Sequence, residues 1–227
     1  MMYRVLEDNA LFMLIDKSAG VSVHRDVHGN TGSVGLFKQV QQEQGCALWP
    51  VHRLDQLTSG LLLLAKSAEI AAEFGRLFES QQVQKCYLAI AEGKPSKKQG
   101  VIVGDMAKSR KGSYKLLRTR SNPAKTRFLS HSLAPSLRAY LLRPYSGKTH
   151  QLRVAMKSIG VPILGDSRYG GREVDRGYLH AYALAFELRG KSYQFVAPPA
   201  QGEYFQLLLD QLSCVGWQDP LALSWGN

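Results

Sequence analysis

PVHRLDQLTSGLLLLAK, residues 50–66, is the stretch whose pattern decides the fold. It starts with a mixed-charge cluster, His52-Arg53-Leu54-Asp55. It continues through Thr58-Ser59-Gly60 and ends in four consecutive leucines, Leu61 to Leu64. A short unbroken apolar run beside turn residues suits a strand covered on both faces. The pattern therefore predicts a polar loop, closed by a Thr-Ser-Gly turn, at the start of a buried strand. An aspartate there has a rigid base, and a nearby arginine favours its charged form. The same residues also fit an Arg-Asp pair that merely braces a loop.

Upstream, residues 3–6 and 11–15 flank a polar 7–10 and predict a hairpin, with a turn over 16–20. His24 and His28 share a polar segment but lack a third ligand at useful spacing, so no metal site is expected there. Val34, Phe37 and Val40 predict a helix over 33–45, stopped by Gly45. Downstream, Ser67 caps a helix with Glu69 in its first turn and Ile70, Phe74, Leu77 and Phe78 as its apolar stripe. Residues 84–91 alternate as a strand that places Lys85, Tyr87 and Ala89 on one face. Residues 93–126 read as loops and edge strands of a binding surface, and 136–143 as a strand closed by Pro144. A turn at 145–149 leads into a helix over 150–159. A hairpin over 179–188 and 192–196 and an amphipathic helix over 203–212 precede a tail, 217–227, to which the pattern assigns no role.

The chain of 227 residues can bury a sizeable core, and 44% hydrophobic with 21% charged residues is ordinary for a globular protein. The charge is less ordinary, with 29 Lys+Arg against 18 Asp+Glu. From Met106 to Leu164 there is no Asp or Glu, while 13 Lys and Arg fall inside. A solvated face normally mixes signs, so a one-sign block suggests a polyanion track rather than mere solubility. The three cysteines, Cys46, Cys86 and Cys214, are far apart and fit buried thiols in a reducing compartment. No signal peptide starts the chain and no apolar run approaches spanning length, so a cytoplasmic protein with no membrane association is expected.

His52-Arg53-Leu54-Asp55-Gln56-Leu57-Thr58-Ser59-Gly60 resembles the His-Arg-Leu-Asp-x-x-Thr-Ser-Gly motif of the RluA-type RNA pseudouridine synthases, with every specified position present. Asp16-Lys17-Ser18-Ala19-Gly20 resembles the family's N-terminal lysine segment, with Ser18 where proline is common. Lys85-Cys86-Tyr87-Leu88-Ala89 and Gly147-Lys148-Thr149-His150-Gln151-Leu152-Arg153 resemble two further blocks. Gly160-x-Pro162-Ile163-x-Gly165-Asp166, Tyr169-Gly170, Leu179-His180-Ala181 and Ala197-Pro198-Pro199 follow in the family's order. Ala155 takes a position that is often histidine. The resemblance spans about residues 3–210. It leaves no stretch for the S4-type RNA-binding domain that many members carry, so a single catalytic domain over 1–227 with a tail from 211 is expected, acting as a monomer.

The resemblance implies an α+β fold, a mixed, largely antiparallel sheet in two halves with flanking helices and a central cleft. It also implies isomerisation of uridine to pseudouridine in tRNA or large-subunit rRNA, without metal or cofactor. The base must leave its stack to expose C5, C6 and C1′. Asp55 is then the catalytic carboxylate, and three routes stay open: attack at the sugar, addition to C6, or proton removal from C2′. The resemblance gives Arg153 the role of countercharge, and its planar fork suits a bidentate hold on Asp55. Tyr87 matches the family's active-site tyrosine, able to stack on uracil and to assist at C5, against a competing role in the core. Arg53 would touch the RNA backbone or fill the gap left by the base. Lys17 and Lys148 would support phosphates or loops, and Leu152 would wall the base from water. His52 and His150 fit structural hydrogen bonding.

An RNA-binding or ribosome-assembly factor that had lost the chemistry is the alternative. It predicts damage at Asp55, Tyr87 or Arg153, and all three are intact. A hydrolase built on either histidine lacks a nucleophile motif. If the basic block tracks phosphates, RNA affinity in filter binding falls steeply as salt rises, on the order of 10³-fold between 50 and 200 mM for six contacts. Salt-insensitive binding would rule the track out.

Overall fold

The computed structural model describes residues 1–23 and 35–225. His24, His28 and Val34 lie outside the described residues. In chain order the elements are β1 (Tyr3–Asp8), β2 (Phe12–Lys17), α1 (Leu36–Gln44), β3 (Trp49–Pro50), β4 (Ser59–Ala65), α2 (Ala68–Glu79), β5 (Gln84–Glu92) and β6 (Gln99–Gly104). Then follow β7 (Met106–Lys108), β8 (Tyr114–Leu116), β9 (Ala124–Ala134), β10 (Leu137–Pro144), α3 (Gln151–Ser158), β11 (Leu179–Leu188), β12 (Lys191–Val196), α4 (Glu203–Leu209) and α5 (Leu212–Val215).

One sheet carries most of the chain, in the order β1-β2-β4-β11-β5-β10-β9-β6, with β12 added to β11 and β3 to β4. Among the described pairs only β4–β11 is parallel, which makes the sheet mixed and largely antiparallel, as expected. Strand β4 is the leucine run, and all seven of its residues are buried. It packs with β2, α1 and α2 into one apolar cluster around Phe12, Leu62 and Phe74. Strands β5 and β10, helix α3 and the C-terminal helices form a second cluster around Tyr140, Met156 and Phe205. Strand β11 serves both, giving Leu184 and Phe186 to the first and Leu179 and Tyr182 to the second. The two halves therefore share a spine.

Local chemistry accounts for most boundaries. Asn9 Oδ1 accepts from Leu11 and Phe12 N–H at 2.9 and 3.0 Å, closing the β1–β2 hairpin. Gly45, at φ +61, ends α1 in the left-handed conformation. The Ser67 side chain accepts from Ile70 N–H at 3.2 Å and starts α2.

Several expectations need correction. Ser59 and Gly60 belong to β4 rather than to a turn, because they pair in parallel with His180 and Ala181. The helix expected over 203–212 is two short helices. The tail, given no role from its pattern, packs Trp217 and Trp225 into the second cluster, and Tyr182 donates to Trp217 O at 3.1 Å. Of the cysteines only Cys86 is buried, and Cys214 is exposed. Strand β9 had no sequence counterpart. No described helix is long and apolar enough to cross a membrane.

Gly60 is where the parallel pair closes most tightly. Its φ is +104, and a Cβ there would lie 2.3 Å from Ala181 O. Gly60→Ala is therefore expected to cost about 2–4 kcal/mol through strain and displacement of β11. Urea unfolding of the variant checks this, and an unchanged midpoint would show that the two strands are not in close register there.

Candidate active site

Asp55 lies in the turn before β4, where Thr58 N–H donates to its carbonyl at 3.0 Å. Leu54 and Thr58 are buried on either side, and Leu54 anchors the turn in the first cluster. A second anchor comes from residues 17–20. Gly20 N–H donates to Gln56 O at 2.8 Å, and the Gln56 amide returns a bond to Gly20 O at 3.1 Å. Lys17 is fully buried, and its ammonium donates to Val21 O at 2.7 Å, Ser18 O at 2.9 Å and Gln56 O at 3.3 Å. Burial, with Arg176 nearby, pushes its pKa down to about 7, against the pull of Asp55. Lys17 thus ties residues 17–21 to the Asp55 turn through three carbonyls.

Helix α3 brings Arg153 across the cleft. Its Nη1 donates to Asp55 Oδ2 at 3.1 Å. The fork is turned elsewhere, since Nε and Nη2 donate to the two oxygens of Asp166 at 2.7 and 2.8 Å. The bidentate partner of Arg153 is therefore Asp166, not Asp55 as the fork argument expected. Asp166 is 1% exposed, so the paired charges are shielded from water. The Arg153 guanidinium also stacks 4.9 Å from the centre of the Tyr169 ring.

The cleft holds about 120 Å³ and is lined by Asp55, Tyr87, Lys85, Leu152, Arg53 and Lys148, among others. Burial, the Asp55 charge and Cys86 raise the Tyr87 pKa, so the phenol stays protonated at neutral pH. Lys85 and Tyr87 share the cleft-facing side of β5, as the alternation predicted. Leu152 is buried in the wall. Arg53 is exposed at the rim, and Lys148 is held by Asn122 through its carbonyl and, at 3.0 Å, its side-chain oxygen.

The two motif histidines differ. His52 Nε2 accepts from Leu63 N–H at 2.9 Å, and burial beside Lys85 lowers its pKa to about 3, so it is a neutral structural group. His150 lies beside the cleft, with Nε2 at 3.9 Å from Asp55 Oδ1.

Asp166, Gln151 and Tyr169 had no assigned role in the sequence. The Gln151 side-chain oxygen accepts from Ser146 Oγ and Lys148 N at 2.8 and 3.1 Å. Its amide donates to Lys125 O and Thr126 Oγ1 at 3.1 and 3.0 Å, which staples β9 to the turn before α3. A signal for Asp166 was available: it is the first acidic residue after the acid-free run. No group of three His, Cys, Asp or Glu among the described residues could hold a metal ion.

Comparison with known proteins follows the same lines. The family model described as RNA pseudouridylate synthase matches residues 11–158. A Haemophilus influenzae protein named as an uncharacterized RNA pseudouridine synthase is 48% identical over 88% of this chain and 89% of its own length. The Rickettsia bellii protein named ribosomal large subunit pseudouridine synthase C is 34% identical over 74% of this chain and 56% of its own. Among solved structures, human RNA pseudouridylate synthase domain containing 1 superposes with a TM-score of 0.75 at 23% identity, covering 94% of each chain, a likeness of fold.

Removing Asp166 would leave Arg153 buried with only Asp55 to offset its charge. Asp166→Ala is expected to lower stability by about 3–5 kcal/mol, read from urea unfolding. A midpoint equal to the unsubstituted protein would mean that Arg153 does not depend on this partner.

Proposed function

The chain belongs to the RNA pseudouridylate synthase family, isomerases that convert uridine to pseudouridine in RNA, and on that premise we propose that Asp55 is the carboxylate that carries the rearrangement. The observation behind the proposal is the pinning of Asp55, one oxygen 3.1 Å from an arginine that is itself clamped by Asp166. A carboxylate that must react inside a water-excluding pocket needs a fixed cation, or burial would neutralise it.

The flipped uracil enters the cleft against Tyr87, whose ring gives it a stacking face and whose neutral hydroxyl assists at C5. Leu152 walls off water, so the Asp55–Arg153 interaction acts at low dielectric. Arg53, exposed at the rim, takes the RNA backbone or fills the gap that the base leaves. Lys148, held by Asn122 in the same cleft, takes a phosphate or supports the loop there. The substrate is tRNA or large-subunit rRNA in the cytoplasm, and the rRNA arm is supported by a relative named for the ribosomal large subunit. Residues 1–227 act as one catalytic unit.

The test uses [5-³H]uridine-labelled total RNA from cells lacking the gene, in which the target uridine is still unmodified. The protein should release tritium, and Asp55→Asn and Asp55→Ala should lose release by roughly 10³-fold or more. Equal release by protein and variant would sink the assignment. Mapping pseudouridine in tRNA and rRNA with and without the gene identifies the site.

A further inference from the structure

His150 is held in a costly conformation beside Asp55. Its φ is +58 and ψ +17, left-handed backbone at the N-cap of α3, and its side chain makes no capping bond. A non-glycine residue there is strained, because its Cβ crowds the following carbonyl oxygen. The other described non-glycine residues with positive φ, Gln81, Lys111, Ser136 and Arg189, are all exposed, whereas His150 is half-buried in the cleft wall. Strain of this kind persists where the surroundings fix it, and here they fix an imidazole.

The surroundings also give Nδ1 a partner. Tyr169 Oη accepts from Tyr114 N–H at 2.9 Å and lies 2.8 Å from His150 Nδ1. Because the phenol oxygen already accepts from Tyr114 N–H, we assign its hydroxyl proton to the bond with Nδ1, which puts the imidazole's own proton on Nε2. That Nε2–H faces Asp55 Oδ1 at 3.9 Å, while Arg153 holds Oδ2 at 3.1 Å. The Tyr114 and Tyr169 rings meet the imidazole edge-on at 5.6 and 5.7 Å and restrict its rotation.

We propose that His150 is a positioning residue for Asp55, its Nε2–H steadying one carboxylate oxygen while Arg153 steadies the other. Two donors on two oxygens fix the plane of the carboxylate, which one arginine contact leaves free to rotate about the Cβ–Cγ bond. The present 3.9 Å closes to hydrogen-bond length when RNA fills the cleft, since catalytic contacts are commonly long without substrate. Burial lowers the His150 pKa, with Arg153 and Arg168 acting in the same direction and Asp55 and Asp166 against it. The neutral donor form therefore prevails at neutral pH. Acid protonates Nδ1, which then donates to Tyr169 Oη instead of accepting from it, and the Nε2–H that faces Asp55 is kept.

The proposal rests on Asp55 as the catalytic carboxylate. The experiment measures single-turnover tritium release from the same labelled RNA by the full chain, with His150→Asn, Tyr169→Phe and the double variant. Asparagine tolerates left-handed backbone and removes the imidazole, and phenylalanine keeps the ring under Arg153 while removing the hydroxyl from both His150 and Tyr114 N–H. Each single variant should slow release on the order of 10- to 100-fold with unchanged RNA affinity in filter binding. The double variant should be little worse than either single one. A His150→Asn rate within about twofold of the unsubstituted protein, or a loss confined to RNA affinity, would overturn the proposal. Should His150→Asn fail to fold, Tyr169→Phe decides alone by the same rate criterion. Full release by Asp55→Asn would instead overturn the catalytic assignment, so the two failures are distinguishable.

Discussion

Arg153 joins Asp166 through Nε and Nη2 and Asp55 through Nη1, so one guanidinium between two carboxylates holds the cleft's chemistry in place. The bidentate bond to Asp166 is the stronger one by geometry, and it is also the drier. It commits the guanidinium plane before Asp55 is considered, and Asp55 then meets a donor whose direction is already set. Lysine, a single point charge with no fork, could not fix both carboxylates in one plane. The division of labour follows: Asp166 orients the arginine, and the arginine orients Asp55.

That arrangement requires three chain segments to meet, and the fold supplies each with its own stop. The Asp55 turn hangs from β4, whose parallel contact with β11 closes tightly only because residue 60 has no side chain. The Lys17 ammonium collects three carbonyls and locks residues 17–21 under the same turn. Ser18, where the resembling family commonly has proline, donates its N–H to Met2 O at 2.9 Å and its hydroxyl to Met1 O at 3.0 Å. Proline could make neither bond. The departure is thus absorbed by pairing with the chain's first residues. Asp166 is placed by a loop whose carbonyls approach Gly165 and Gly171 so closely that a Cβ at either would lie about 2.0 and 1.9 Å from a backbone oxygen.

How much of this was legible in the sequence depends on whether the signal was local. The leucine run, the Ser67 cap, the Gly45 stop and the face shared by Lys85 and Tyr87 are set by neighbours in sequence, and all could be read there. Ser59-Gly60 misled, because its composition is that of a turn while its structure is dictated by β11, more than a hundred residues away. Strand β9 alternates Ala124, Thr126 and Phe128 inward, but its interleaved Lys125 and Arg127 read as part of a loop-like basic stretch. At the site, Asp55 and Arg153 were visible through their motifs. The partner choice was not: whether a fork takes Asp55 or Asp166 depends on the crossing of α3 and the loop after it, which no spacing encodes.

The electrostatics of the pocket then explain the charge distribution of the whole chain. Asp55 and Asp166 against Arg153 leave the innermost groups with one net negative charge, a poor lure for a polyanion. RNA must be drawn by the rim, and the rim is cationic: Arg53, Lys85 and Lys148 line the same cleft. Beyond it the β7–β8 hairpin exposes Lys108, Arg110, Lys111 and Lys115. The hairpin is tied back to the site by the Tyr114–Tyr169 bond and by Arg168, which donates to Lys111 O at 2.9 Å. The acid-free run is therefore not one uniform track. Arg153 within it is spent on orienting a carboxylate, while the exposed members must outweigh that buried negative charge at the distances where phosphates approach. An acidic residue among those exposed members would cancel an attraction that the core of the site cannot supply, which gives a physical reason for the absence of acids from Met106 to Leu164.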